Sequence, residues 1–332
     1  MVFEQIKELI SSLNEEQKNI LIAELTSKKT TSNKSLYDSL KENKQQYFCC
    51  PHCGSAHIRK DGNVYEKQRF ECCDCKKKFG YQTKTIFSGT WKDKEKWTSF
   101  INQTISHVSI RNIAENLQVS KNTILDWRHK LIKIIGIKMD KVKLQDIIEV
   151  DDTYFKKSSK GLKGMKQTKK KALRGISRDK LCFTTGVDRN NNVVCVFNGY
   201  GKNSVEKMQK CFSDKIDVEK TMLVLCDKDS AYKTFFDMFR IEIKQSKAEN
   251  WMNHSLKRKS KGIYNINSVN SLHSMMKEII RDYRGVQQKY LLNYLQLCCW
   301  MKQESNTSLI DKVKKMFYDL CNNTFKVASP RC

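Results

Sequence analysis

The chain has 332 residues, 39% of them hydrophobic, and a formal charge of +26 with a pI near 9.5. That length exceeds one small core and predicts about two or three domains, while the positive excess points to a polyanionic partner, nucleic acid first. No apolar run approaches the ~20 residues needed to span a bilayer, no membrane partner is expected, and no secretory signal pattern is present.

A cytoplasmic, reducing location is therefore expected, with the 14 cysteines acting as thiols or metal ligands rather than disulfides. Only Pro51 and Pro330 interrupt the chain, so long helices can run unbroken. Residues 3–26 show helical spacing of Phe3, Ile6, Leu9, Ile10 and Leu13, then Ile20, Leu21 and Leu25, which predicts a helical hairpin. Lys28 to Gln46 is polar and reads as a linker.

Cys50-Pro-His-Cys53 and Cys72-Cys-Asp-Cys75 form two C-x-x-C pairs whose separation suits four thiolates on one tetrahedral Zn²⁺. The stretch between them is expected to make a short hairpin. With few apolar residues nearby, the ion would supply the folding energy of this zinc ribbon. Four protein ligands leave no open position, so the site reads as structural. Cys49, Cys73 and His52 are expected to be bystanders.

Residues 94–136 carry a helix-turn-helix pattern. Ile110–Leu117 forms the first helix, Gln118-Val-Ser120 the turn, and Ser120 caps a second helix beginning at Lys121. Ile124 and Trp127 are expected inward. Lys121, Asn122, Arg128 and Lys130 are expected on the outer face, where such side chains contact phosphates and base edges.

From about residue 146 strands and helices alternate. Ile147–Phe155 is an apolar strand running into Asp151 and Asp152. A tract from Lys156 to Lys180 then holds eleven Lys or Arg and one acid. Leu181–Val187 and Asn192–Phe197 form a hairpin. Thr221–Cys226 is a strand ending at Asp227, with Asp229 capping the next helix. Val269–Arg281 and Tyr290–Gln303 are helices, followed by Leu309–Cys321. Three strands in meander and then helix alternating with strand give an α/β (mixed) order of the ribonuclease H-like kind.

Phosphodiester chemistry needs an activated oxygen nucleophile and neutralisation of charge on the leaving oxygen; Mg²⁺ or Mn²⁺ held by carboxylates can provide both. Asp151 and Asp227 are the two anchors. Strand alternation sends Asp151 and Asp152 to opposite faces, and spacing does not choose between them. Asn270 and Lys277, seven residues apart, share one face of a helix. His273 lies between them and is assigned no role.

Val150-Asp-Asp-Thr-Tyr154, Arg174-Gly-Ile-Ser177, Thr185-Gly-Val-Asp-Arg189, Asp227 with Ala231-Tyr232, Val269-Asn-Ser-Leu-His-Ser-Met-Met-Lys277, Arg284-Gly-Val286 and Lys289-Tyr290 together resemble the bacterial insertion-sequence transposases of the DDE superfamily. The likeness is to the ISXO-like branch whose signature reads Asp, Asp, Asn, Lys. It runs from the zinc ribbon to about residue 302. The resemblance implies a ribonuclease H-like fold, binding to double-stranded DNA at terminal inverted repeats and at the target, and metal-dependent strand cleavage and transfer. It makes Asp151 and Asp227 ligands of the catalytic metal, puts Asn270 where most of the superfamily has Glu, and makes Lys277 the accompanying basic residue. Asp152 stands where the family often has Glu, which favours Asp151 as the ligand. Bringing two DNA ends together implies a dimer or higher oligomer. A catalytically inactive regulator, favoured by the neutral Asn270, is the alternative, and a nuclease on the same fold a third.

The expected division is a helical hairpin and linker over 1–46, the zinc ribbon over 47–82, the helix-turn-helix region over 83–140, the catalytic domain over 141–305, and a C-terminal helix and tail over 306–332.

Overall fold

The computed structural model describes residues 18, 36–44, 49–88, 93–158, 177–245, 265–283 and 286–322. The chain divides into two units, Met1–Trp97 with Cys321–Cys332, and Thr98–Leu320. Apart from Lys18, the helices expected over 3–26 lie outside the described residues. So do residues 159–176 of the basic tract.

In the first unit, helix α1 (Leu36–Lys44) precedes three antiparallel strands, β1 (Ile58–Val64), β2 (Lys67–Cys72) and β3 (Lys78–Gly80), in the order β1-β2-β3. The expected hairpin is β1–β2, paired from Ile58 opposite Cys72 to Val64 opposite Lys67. The linker reading of Lys28–Gln46 needs correction where α1 forms. Leu36 and Leu40, one turn apart, are buried, and the Tyr37 hydroxyl accepts the Gln68 N–H at 2.7 Å. Two leucines in a polar stretch are too short an apolar stripe to announce a helix without the sheet they pack on. Phe70 contacts Phe79 and Tyr81, with ring centres 5.9 and 5.2 Å away.

The second unit takes in most of α2 (Lys94–Ile105) and of α9 (Leu309–Asn322), and all of α3 (Ile110–Leu117) and α4 (Lys121–Met139). Ser109 caps α3 and Ser120 caps α4 through their side-chain oxygens. Between the two helices Gln118 takes a left-handed conformation at φ 51. Ile113, Ala114, Leu117, Ile124 and Trp127 are buried, and Phe100 of α2 meets Trp127 edge-on at 5.4 Å. Gly136 lets α4 approach α8 (Gln288–Gln303), because a Cβ there would lie 2.7 Å from Gln296 Oε1.

The rest is a five-stranded mixed sheet in the order β6-β5-β4-β7-β8, from β4 (Leu144–Lys156), β5 (Lys180–Asp188), β6 (Val193–Tyr200), β7 (Ile216–Cys226) and β8 (Glu242–Gln245). β4, β5 and β6 are antiparallel neighbours, whereas β7 and β8 run parallel to β4. The fold class is mixed α/β. On one face Ile148, Val150, Val224 and Cys226 share a core with Met208 of α5 (Val205–Cys211) and with Tyr232, Phe235 and Phe236 of α6 (Ser230–Asp237). Each such large side chain contributes roughly 1.5–3 kcal/mol when buried. α7 (Asn267–Asp282) meets the other face, where Thr185 and His273 are hydrogen-bonded. The strands and helices expected from residue 146 onward are all present, with ends shifted by a few residues.

Candidate active site and metal centre

The register of β4 and β7 decides which of the two adjacent carboxylates belongs with Asp227. Val150 pairs with Cys226 in parallel, and both lie in the core beneath α5 and α6. The following residues, Asp151 and Asp227, therefore leave the two strands on the opposite face, that of α7. Asp152 points the other way. It accepts the Thr184 hydroxyl at 2.6 Å and the Asn203 amide at 3.2 Å, with the buried Tyr232 hydroxyl beside it. Burial, only partly offset by these donors, holds the Asp152 carboxyl up at about 6.

Asp151 accepts the Asp152 N–H at 2.8 Å. Burial raises its carboxyl to about 7; the charges of Asp227 and Asp152 push it the same way, and Lys277 opposes them. Lys277 is thus within electrostatic reach of Asp151, while the Asp227 carboxylate accepts the Asp229 N–H at 3.0 Å. Asp229 caps α6 through the Ala231 N–H, as expected.

Asn270, His273 and Lys277 form one stripe on α7. His273 is its contact with the sheet: Nε2 shares a 2.6 Å hydrogen bond with the Thr185 hydroxyl, and Nδ1 lies 3.6 Å from Asp151 Oδ2. The Thr185 hydroxyl donates to the Asp151 carbonyl, which assigns the Nε2 proton to His273. Burial, then the charge of Lys277, lowers the imidazole to about 4, so it is neutral and its contact with Asp151 is no ion pair. Asn270 and Lys277 are exposed on either side of it. Sequence reasoning left His273, Thr185 and Asn203 without roles, since their partners are distant in the chain.

Two carboxylates on neighbouring strands offer the oxygen ligands that suit a hard divalent cation, with the Lys277 ammonium in electrostatic reach of Asp151. Proton and cation would compete for Asp151, whose carboxyl is raised first by burial and then by the charges of Asp227 and Asp152.

The zinc expectation concerns the first unit. Cys50, Cys53, Cys72 and Cys75 bring their sulfurs within 4.8 Å of one another, with Cys50–Cys75 at 3.6 Å and Cys53–Cys72 at 3.5 Å. Sulfurs about 2.3 Å from a tetrahedral ion stand about 3.8 Å apart, so the cluster fits zinc. Backbone N–H groups of His52 and Cys75 point at Cys50 and Cys72. The Cys75 N–H leads in drawing the Cys72 thiol down to about 6. Cys49 and Cys73 are exposed outside the cluster.

Of the side chains expected on the outer face of α4, Lys121 and Asn122 are exposed. Lys130 is partly covered and pairs with Asp126 at 2.7 Å. Arg128 is a correction. It is 1% exposed, donates to the Val108 carbonyl at 2.8 Å, and stacks over the Tyr283 ring at 4.9 Å. Positions 124, 127, 128 and 131 make a single helical stripe, and the guanidinium follows that geometry.

A model of the ISXO2-like transposase domain matches residues 143–303. A relative described as an uncharacterized protein in transposable element ISH50, from Halobacterium salinarum, is 24% identical over 261 residues, covering 74% of this chain and 82% of its own length. The crystal structure of a pre-cleavage Mos1 transpososome includes a chain 11% identical, aligned over 65% of this chain and 75% of that one at a TM-score of 0.26, too low to inform the fold. The family match spans the whole mixed sheet with α7 and α8: residues 143–303 match the ISXO2-like transposase domain, and the two sequence matches together support a transposase of the insertion-sequence DDE type.

Proposed function

We propose that the protein binds the terminal inverted repeats of its element as double-stranded DNA and cuts and joins strands there with Mg²⁺ or Mn²⁺. The observation that carries this reading is the shared face of Asp151 and Asp227 beneath the α7 stripe of Asn270 and Lys277. In this reading Asp151, Asp227 and the Asn270 amide oxygen hold the cation, and Lys277 meets the DNA phosphate or the charge that develops on it. A divalent cation held there would supply charge neutralisation and activation of the attacking oxygen. Asn270 brings no charge of its own, so one cation position leans more on water and on the DNA phosphate.

The strand order, meander first and then parallel addition, supports a ribonuclease H-like catalytic domain. The four-thiol cluster supports a zinc ribbon, and the capped pair α3–α4 supports a helix-turn-helix. Lys121 and Asn122 are the contacts proposed there, with Lys130 as a lesser one. The working complex is read as a dimer or higher oligomer on DNA in the cytoplasm. No described helix is long and apolar enough to cross a membrane.

The test is incubation of the purified protein with labelled terminal repeats and either metal. Cleaved and joined products are expected; their absence with ends demonstrably bound overturns the reading. The neutral Asn270 favours one rival, an inactive DNA-binding regulator. Asp151→Ala separates the two: an enzyme loses cleavage and keeps its DNA binding, whereas a regulator has no metal-dependent activity to lose.

A further inference from the structure

Helix α7 is capped locally at one N–H only, that of Asn267, which Asn265 Oδ1 accepts at 3.0 Å. The residue before the helix, Ile266, has no side chain able to accept the next N–H groups of the first turn. Their acceptor comes from the central strand. Glu149 of β4, its side chain 2% exposed, accepts the N–H of Ser268 at 2.7 Å and of Val269 at 3.1 Å on Oε2. Its Oε1 accepts the Ser268 hydroxyl at 3.0 Å and Arg189 Nη1 at 2.9 Å.

These four donors fill the four acceptor positions of the carboxylate. Glu149 therefore has no lone pair left for a cation, and Arg189 balances its buried charge. Its location gives the bonds their consequence. Glu149 is two residues before Asp151 and faces the same side of β4. Val269, which it holds, immediately precedes Asn270. One carboxylate thus ties the strand that carries Asp151 to the helix turn that carries Asn270, and Lys277 follows two turns along the same helix.

We infer that Glu149 is the positioning residue of the active site, setting the register of Asn270 and Lys277 over Asp151 by capping α7 from strand β4. This rests on the reading of those residues as the catalytic set. Glu149 touches neither substrate nor cation and acts only through α7.

A mere helix cap would show the same bonds, so the test must part stability from placement. Ile266→Asp gives α7 a local acceptor for the N–H groups that Glu149 now holds, without any tie to β4. E149A, E149A/I266D and E149Q are compared in the full chain by Mn²⁺-dependent cleavage of DNA carrying the element ends, by thermal unfolding, and by DNA binding without metal. Cleavage is expected to fall roughly 100-fold in E149A, the loss typical of a displacement near 1 Å. The Mn²⁺ concentration for half-maximal cleavage rises, and DNA binding is kept. E149A/I266D regains thermal stability and stays slow.

Recovery of stability and cleavage together in E149A/I266D overturns the inference. Should the Ala variants not fold, E149Q decides: a folded variant with slower cleavage and a higher Mn²⁺ requirement supports the positioning role, and wild-type behaviour in both overturns it. Failure of the catalytic reading looks different. There the wild type would cleave no better than D151A, whereas failure of the Glu149 inference alone leaves an active wild type beside an inactive D151A.

Discussion

The ribbon and the sheet hold themselves together by different means. The sheet stacks its central strands between α5 and α6 on one face and α7 on the other, with Phe212, Phe235 and Phe236 fully buried. The described part of the ribbon has three short strands, an aromatic group of Phe70, Phe79 and Tyr81, two buried leucines of α1, and a four-sulfur cluster. Both regions gather negative ligands around a point. In the ribbon a zinc ion held by the four sulfurs would be the fold's main support; in the sheet the buried carboxylates are a load that the fold carries. Asp151, raised to about 7, is the residue that bears it.

Metal removal should set the two regions furthest apart. Chelation, or Cys72→Ser, is expected to unfold the ribbon outright, since structural zinc contributes on the order of 10 kcal/mol in small modules. Amide spectra should lose the ribbon resonances while the sheet keeps its unfolding transition. A single transition that disappears for the whole chain on chelation would mean that the sheet also depends on zinc.

Next come the carboxylates of the sheet. Asp151→Ala and Asp227→Ala should each lower metal-dependent cleavage by about 1,000-fold or more, with folding and metal-free DNA binding kept. Asp152→Ala is expected to act differently. It removes the acceptor for Thr184 and Asn203, so it should reduce stability as well as rate. Equal effects of Asp151→Ala and Asp152→Ala on cleavage, at equal stability, would undo the assignment of faces.

Arg128→Ala probes the sheet unit away from metal. It deletes a buried charge-assisted hydrogen bond and a ring interaction, and should cost about 2–3 kcal/mol in denaturant unfolding. An unchanged midpoint with weakened DNA binding would restore Arg128 to the outer face.

Acid should act on the metal-free sheet through Asp151. Its folded carboxyl sits near 7 and its unfolded one near 4, so between those values the folded state holds the proton that the unfolded state has released. Stability therefore falls as pH rises from about 4 to about 7, and the burden is complete above that window. Asp151→Asn should raise the metal-free unfolding free energy at pH 8 by up to about 4 kcal/mol, and by little at pH 4. Titration of stability against pH in both proteins measures it. Two parallel curves would mean that Asp151 carries no such load.

Local features were legible in the sequence. The C-x-x-C spacing, Ser120 and Asp229 as caps, and apolar strands ending at Asp151 and Asp227 depend on neighbours a few residues away. Features that need a distant partner were not. The face of Asp151 depends on the pairing of Val150 with Cys226. The tie from Glu149 to Ser268 spans 119 residues. His273 gains its place only from Thr185 on β5. Arg128 was misread for another reason: its charge suggested solvent, whereas its position in the 124–127–128–131 stripe dictated the interior.

The finest difference concerns how DNA affinity is shared between the two units. Removing one cation that meets a phosphate should reduce the dependence of log affinity on log salt by about 1 and weaken binding by a few-fold at moderate salt. Lys121→Ala is expected to show that effect in full, because its ammonium is exposed at the start of α4. Lys130→Ala should show less, because Asp126 already engages Lys130 at 2.7 Å. Asn122→Ala carries no charge change, so it should leave the salt slope alone and alter discrimination between sequences if Asn122 reads a base edge. Salt titrations on terminal-repeat and scrambled duplexes distinguish these outcomes. If all three variants match the wild type on both duplexes, docking belongs to the ribbon and not to α4, and the two regions divide the work as metal-built reader and self-supporting catalyst.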